Sequence, residues 1–451
     1  MNFRAFVSGS VLTVAICLLI TTAATAGQDA APAAAEPLTL GLDQAVALAL
    51  DQSPAIKAVT YKAQAAEKNA SAVGRTHWGR LDAIASVSRF DEDRLLVPMS
   101  SQLLAGGLPN APFDRDQIHY GLTYQIPLYL GGKLSAGIEI AKLEADKADA
   151  LRQGTNWQVR YNVVSLYAGV QTLDGAIQSA EELIKTLEAM HKRLELMVEN
   201  GKRPELDLLK VTDQLAEAQA QLAGLHAQRT KVAGMLLALL GENPGRPLTV
   251  IPLADFDPQL TVPDDSLKTL VLASSPVRQA QLTSRQAGSG IKAAHAGFLP
   301  SVVGQADYMA HHADSIDSDP TTWQLSIGVK LPVFNGTSRF AALSAAKAGR
   351  RAADEGLKLA RLRSKADLNN ALARLQAART GLAAAKARVA SATEAARSEQ
   401  IRYDSGASSI EDLLRARTRE EAAHTALAQA TGELKTAAEQ INAVVETEVI
   451  R

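Results

Sequence analysis

The chain is poor in three things. Of its 451 residues one is cysteine and 4% are aromatic, and 47 Lys+Arg against 48 Asp+Glu leave a net charge of −1. A single cysteine excludes a disulfide framework, a Cys-based zinc cluster and an iron–sulfur protein. The balanced charge excludes a strongly basic nucleic-acid binder and an acidic, disordered tail protein. Beyond the amino terminus no apolar run comes near ~20 residues, so no helix is expected to span a bilayer. The shortage of large rings is unusual for a conventional globular core, although the length allows two to four domains of about 100–200 residues each.

What is present begins with an export signal. Arg4, the apolar run from Val11 to Ile20 and the small-residue site Ala24-Thr25-Ala26 are the three regions of a secretory signal peptide (residues 1–26) cleaved near Ala26. Cys17 lies inside that run, so cleavage leaves a mature chain with no cysteine and no site for a lipid anchor.

The chain then repeats itself. Glu199-Asn200-Gly201-Lys202-Arg203-Pro204-Glu205-Leu206-Asp207-Leu208-Leu209-Lys210 is echoed by Asp404-Ser405-Gly406-Ala407-Ser408-Ser409-Ile410-Glu411-Asp412-Leu413-Leu414-Arg415. The same shift carries Pro127-Leu128-Tyr129-Leu130-Gly131 onto Pro332-Val333-Phe334-Asn335-Gly336. Asp43 and Ser53-Pro54 are likewise echoed by Asp265 and Ser275-Pro276. Residues 27–250 and 251–451 therefore read as two structural repeats of one design.

Each repeat contains a long helical hairpin. Val163, Leu166, Val170, Leu173 and Ile177 start a run of alternating four- and three-residue steps that continues to Val198. It resumes after Gly201, and again in the second copy after Gly406. This is a heptad seam, and a helix from about Lys133 to Asn200 would be roughly 100 Å long. Gly201 and Gly406 are expected to end helices in the left-handed conformation. Pro204 suits the first position of the next helix, and Ser408 with Glu411 suits a capping box. Arg229 and Glu420 interrupt the seam, either exposed or fixing register.

Short alternating segments lie between the helices. Ile118, Tyr120, Leu122, Tyr124, Ile126 and Leu128 share one face, as do Trp323, Leu325, Ile327, Val329, Leu331 and Val333. Both are strands, each near the roughly 9–11 residues that cross a bilayer when tilted. Arg80–Arg89 and Pro300–Ala310 are the expected partner strands, with Phe90–Gln117 and His311–Thr321 as exposed loops. Four strands cannot close a barrel, and open edges do not survive in lipid, so symmetric oligomerisation is the natural completion. The fold class expected is an α+β membrane protein, with coiled-coil hairpins and four transmembrane β-strands per protomer. A trimer would supply a twelve-stranded barrel.

Together, the signal peptide, the duplicated strand–strand–hairpin order and the paired turns at Pro127, Gly131 and Gly132 and at Pro332 and Gly336 resemble the TolC family of outer-membrane efflux proteins. The resemblance spans essentially the whole mature chain. It implies a homotrimer held by outer-membrane lipid, with a helical tunnel in the periplasm. Such a trimer is the exit duct of a tripartite pump, working with a periplasmic adaptor (membrane fusion) protein and an inner-membrane transporter. The resemblance places the hairpin tips at the periplasmic entrance, with Gly201, Lys202, Arg203, Ser405, Gly406 and Ala407 meeting the adaptor. Tyr403, Asp404, Ser408, Asp412, Arg415 and Asp207 fall at the gate. Tyr403, Gly406 and Asp412 match the family; a basic gate residue falls at Ser408 and an acidic one at Arg415, so the polar lock is only partly reproduced. Three copies of Asp412 around one aperture would act as an electrostatic filter. Equally, Asp412 and Asp207 suit a first helical turn and could pair with Arg415 and Lys210.

Other chemistry finds little footing. Gly131-Gly132-Lys133 hints at a phosphate loop, but Pro127 stands where its first glycine belongs. No zinc-protease or serine-hydrolase signature occurs. His311 and His312 with Asp314, Asp317 and Asp319 read as a solvated polar loop rather than a metal site, and His191 as a packed seam residue. The expectation is a passive duct without cofactor or metal, no nucleic-acid partner and no enzymatic step, exporting small molecules such as drugs or metal ions. Protein secretion through the same kind of duct, and a soluble periplasmic coiled-coil adaptor, are the alternatives.

Overall fold

A computed structural model describes residues 37–105, 111–252, 257–314 and 319–450. The signal segment and Asp317 lie outside these residues. The first half runs β1 (Leu38–Leu40), α1 (Leu42–Gln52), α2 (Pro54–Arg75), β2 (Arg80–Leu95), a short α3 (Ser101–Ala105) and β3 (Phe113–Tyr129). The hairpin of α4 (Lys133–Glu199) and α5 (Glu205–Leu240) follows, then β4 (Leu248–Val250). The second half runs α6 (Asp264–Val271), α7 (Ser275–His295), β5 (Ser301–His312), β6 (Thr321–Lys330), α8 (Ser338–Asp404) and α9 (Ile410–Val445).

The heptad seams become these long helices. α4 and α8 are each 67 residues, about 100 Å at 1.5 Å per residue. Along α4 the seam buries Val163, Val170, Ile177, Leu187 and Leu194; along α8 and α9 it buries Ala371, Ala378, Ala423 and Ala437. Alanine lets the helices approach closely while each side chain buries little apolar surface. The core is accordingly three separate clusters rather than one. Two sit at the hairpin bases, around Tyr167 and Leu236 and around Leu375 and Ile441; the third lies at the tips. Tyr167 and Tyr403 are the only aromatic residues among the described buried apolar side chains. The Tyr167 hydroxyl is satisfied at 2.6 Å by the Ile251 carbonyl. Arg229 is a register device: it pairs with Asp174 of α4 and donates to the Leu248 carbonyl at 3.0 Å. Glu420 pairs with Arg417 at 3.0 Å, both half-buried.

The four longer strands form one antiparallel sheet in the order β2-β3-β5-β6. Its rows alternate in character. Leu81, Tyr124, Ala306 and Leu325 are register partners across one face, followed by Ala83, Leu122, Tyr308 and Trp323; the intervening row is Asp82, Thr123, Asp307 and Gln324. The apolar rows are open to solvent in the single chain, with Val87 80%, Trp323 78% and Leu325 73% exposed. A soluble monomer rarely leaves such a patch uncovered. β2 and β6 have one strand neighbour each, so the sheet has two free edges among the described residues. No described helix is long and apolar enough to cross a membrane.

Several expectations are corrected at element ends. β2 runs on to Leu95 and β3 begins at Phe113, so the expected loop over Phe90–Gln117 is partly strand. β6 stops at Lys330, leaving Leu331 and Val333 outside it. Pro127 lies within β3, where the register with β5 shifts, and not in the turn. The turn is made by Gly131 and Gly132, at φ 64° and 85°; its counterpart uses Gly336 and Thr337, both at φ 65°, with Pro332 in the irregular stretch before it. His311 and His312 belong to β5, and His311 is buried.

Candidate functional site at the hairpin tips

Both tips close by the same backbone device. Gly201 and Gly406 adopt φ 68° and 79°. The Gly201 N–H donates to Val198 and the Lys202 N–H to Met197; Gly406 and Ala407 do the same to Tyr403 and Arg402. This Schellman arrangement satisfies carbonyls the ending helix would otherwise leave open. The next helices start differently. Pro204 is the N-cap of α5 and not its first helical residue. Ser409, not Ser408, caps α9, its hydroxyl oxygen accepting the Asp412 N–H at 3.1 Å. Ser408 instead donates to Glu399 of α8.

Apolar side chains dock the tips on each other: Leu187 and Leu194 of α4, Val211 of α5, Tyr403 of α8, and Ile410 and Leu413 of α9. Tyr403 is 6% exposed. The Arg203 guanidinium from the first tip lies over its ring, 4.5 Å from the centroid, and donates to its carbonyl at 3.2 Å. Burial raises the Tyr403 hydroxyl above its ordinary pKa, and that hydroxyl has no hydrogen-bond partner among the described residues. Beside it, Arg193 of α4 holds Asp404 of α8 at 2.9 Å. A cleft of about 420 Å³ opens there between α4 and α8, floored by Met190, Leu194 and Tyr403.

The acidic groups on α9 pair differently from the sequence expectation. Arg415 bonds Glu411 at 2.5 Å rather than Asp412, and Lys210 reaches across from α5 to the same Glu411 at 3.5 Å rather than to Asp207. Asp412 accepts the Ser409 hydroxyl at 2.6 Å. That bond, with the Arg415 and Arg402 charges behind it, holds the Asp412 carboxyl below the usual carboxylate range. It is therefore ionised at neutral pH, and its side chain is exposed. Asp207 sits with Glu205 in the first turn of α5, where the helix dipole favours a carboxylate. Gly201, Lys202, Ser405, Gly406 and Ala407 are exposed at the outermost end; Arg203 is half-buried. The structure thus brings Tyr403, Asp404 and Arg203 together, with Asp412 and Arg415 on a separate exposed turn.

Arg193, Ser409 and Glu411 are the tip residues that sequence reasoning missed in these roles. Arg193 had a usable signal, a cation one place before the seam residue Leu194. Glu411 stood in the repeated motif, but choosing between a local cap and a cross-hairpin pair needs the packing of α5 on α9.

An antiparallel sheet with open edges and an apolar outer face, carried on helical hairpins whose longer helices run about 100 Å, is the protomer of a barrel-and-tunnel membrane channel. Known proteins agree with that class. The sequence matches the outer membrane efflux protein family over residues 45–242 and 268–445. The chain resembles the CmeC outer membrane channel of Campylobacter jejuni with a TM-score of 0.78 at 17% identity, covering 90% of this chain and 86% of that one. It resembles the outer membrane protein VceC of Vibrio cholerae at 0.73 and 18%, covering 90% and 96%. The fusaric acid resistance protein FusA of Burkholderia cepacia is 23% identical over 235 residues, 51% of this chain and 44% of FusA, so the match spans under half of that relative. The chain belongs to the outer membrane efflux protein family.

Proposed function

We propose that three copies of this chain close a twelve-stranded barrel in the outer membrane and continue as a helical tube through the periplasm, as the passive exit duct of a tripartite efflux pump. The observation that carries this reading is the pair of free edges, β2 and β6, on a sheet whose outward face is apolar. In lipid every edge must be paired, and joining β6 of one copy to β2 of the next pairs them all. Removal of residues 1–26 would precede insertion, and the two repeats would supply equal shares of wall. The exposed tip residues Gly201, Lys202, Ser405, Gly406 and Ala407 would meet the periplasmic adaptor, with Arg203 behind them, and the inner-membrane transporter would supply the energy. Asp412, Asp404, Asp207, Ser408, Arg415 and Tyr403 would surround the entrance. FusA's name, with its small organic acid, supports a small-molecule cargo over a polypeptide.

Cross-linking and planar-bilayer recording on the detergent-extracted outer-membrane fraction test the duct: a cross-linked trimer that conducts is expected, and a monomer in the soluble periplasm would overturn it. Asp412→Ala should lower cation preference of the conductance while the trimer stays intact. Unchanged selectivity in an intact trimer removes Asp412 from the gate.

A further inference from the structure

At the end of the sheet remote from the hairpin helices, His119 of β3 faces His311 of β5 as its direct register partner. Their Nδ1 atoms are 2.8 Å apart, with the ring planes inclined at 75°. Both lie on the polar face of the sheet, in the row that begins at Ser86 of β2. His311 is 7% exposed. Its other ring nitrogen, Nε2, stands 2.8 Å from the Thr322 hydroxyl of β6. With Nε2–H donating to Thr322, the Nδ1 lone pair of His311 accepts the Nδ1–H of His119, a hydrogen bond whose proton a bound ion would replace. A hydrogen-bonded outer nitrogen of this kind is the usual support of a metal-binding histidine, since it fixes both tautomer and ring orientation.

We propose that His119 and His311 form a transition-metal site on the polar wall of the sheet, taking a divalent copper or nickel ion. Two imidazole nitrogens at about 2.0 Å from one ion, with a right angle between them, lie about 2.8 Å apart, and imidazole favours these ions over calcium or magnesium. The cross-strand position supplies the reach, because directly opposed residues place their Cβ atoms about 5 Å apart. Among the described residues no cluster of three or more His, Cys, Asp or Glu could hold a metal, so water completes the coordination. His312 takes no part: it points to the other face and bonds Asp319 at 2.7 Å. The site stands on the chain's own geometry; its threefold repetition around the mouth of a duct rests on the function proposed above.

Titration of the untagged, detergent-purified chain with Cu2+, read by calorimetry and by electron paramagnetic resonance, tests the site. One Cu2+ per chain with nitrogen coupling from two imidazoles is expected. His119→Ala and His311→Ala should each weaken binding by about tenfold or more, and His312→Ala should leave it unchanged. His119→Gln, which keeps a hydrogen-bonding side chain, repeats the measurement if the alanine variants misassemble. Equal Cu2+ affinity in wild type and in the His119 and His311 variants overturns the site, as does a loss seen only with His312→Ala. Conductance recorded on the same preparation separates the two ideas. A conducting trimer without Cu2+ binding removes the metal site alone, and Cu2+ binding to a chain that does not conduct removes the duct alone.

Discussion

In the first half the hairpin helices α4 and α5 measure 67 and 36 residues; in the second, α8 and α9 measure 67 and 36, and each boundary is offset by 205 residues, from Lys133 to Ser338 and from Glu205 to Ile410. The joints share the same left-handed backbone at matching positions but hold it with different side chains. Where strand passes to helix, the first half relies on Gly131, whose missing Cβ lets it sit against the Leu299 side chain and the Ala296 carbonyl. The second half uses Arg339, which donates to the Pro332 and Val333 carbonyls and packs against both Phe298 and Phe340. At the hairpin bases, Gly241 and Glu446 both take the left-handed conformation, at φ 82° and 54°. Gly241 is pressed against the Gln52 carbonyl, whereas the Glu446 carboxylate accepts the Ser275 N–H at 2.9 Å and hydroxyl at 2.7 Å. Helix length is held in common because two hairpins docked side by side must end at one level. A joint has only to turn the chain and satisfy its own polar groups, so different chemistry serves equally.

The tips offer the largest contrast. Tyr403 of the second half occupies the place of the half-buried Val198 in the first. Tyr403→Ala should cost about 4 kcal/mol, from the lost ring and the cavity it leaves. The cost should fall on the tip, as faster amide exchange near residues 194 and 410. Tyr403→Phe should be close to neutral, because the hydroxyl it removes is unpartnered, and Val198→Ala should cost about 1 kcal/mol. An equal loss from Tyr403→Phe and Tyr403→Ala would contradict the packing role.

Exchanging the base residues sharpens the comparison of the joints. Gly241→Glu should destabilise by about 3 kcal/mol, combining left-handed strain with a clash against the Gln52 carbonyl. Glu446→Gly trades released strain for a lost cap and should change stability by less than about 1 kcal/mol. Thermal unfolding followed by circular dichroism measures both. Next in size is the cap: Ser409→Ala should cost about 1 kcal/mol, and it should also let the Asp412 carboxyl return toward its ordinary range.

The smallest effect is in pH. Burial raises the Glu446 carboxyl above 4.5, with the Ser275 bonds opposing it only in part. A group whose folded pKa is raised contributes stability in full below its unfolded value and loses it as pH rises through the folded value. Glu446→Gln stays neutral throughout, so its melting temperature should fall less than that of wild type between pH 4.5 and neutrality. Parallel pH curves would show that the carboxyl is solvated.

Much of the fold was legible because its periodicities are local. The four- and three-residue steps placed α4 within a residue of its carboxyl end, and the two-residue alternation of Tyr120, Leu122 and Tyr124 assigned the faces of β3 correctly. The tip glycines were legible too, since a left-handed residue that ends a helix favours glycine for a local reason. Less was legible at the tips. Ser408 and Ser409 are chemically alike, and only the path of the chain after Gly406 selects the second as the cap. Arg415 had acids at both three and four residues' distance and takes Glu411, one helical turn back, while Lys210 passes over Asp207 for the same Glu411 because side chains of α5 and α9 meet there.

The helical period, the strand faces and the repeated tip turn were determined by the sequence alone, each through a pattern that spans only a few residues. The order β2-β3-β5-β6, which joins the halves through β3 and β5, was decided only by the tertiary structure. So were Arg203 over Tyr403, 200 residues away, and His119 against His311, 192 residues away. Such contacts depend on how preformed helices and strands pack, and no local period in the chain encodes which distant face will arrive.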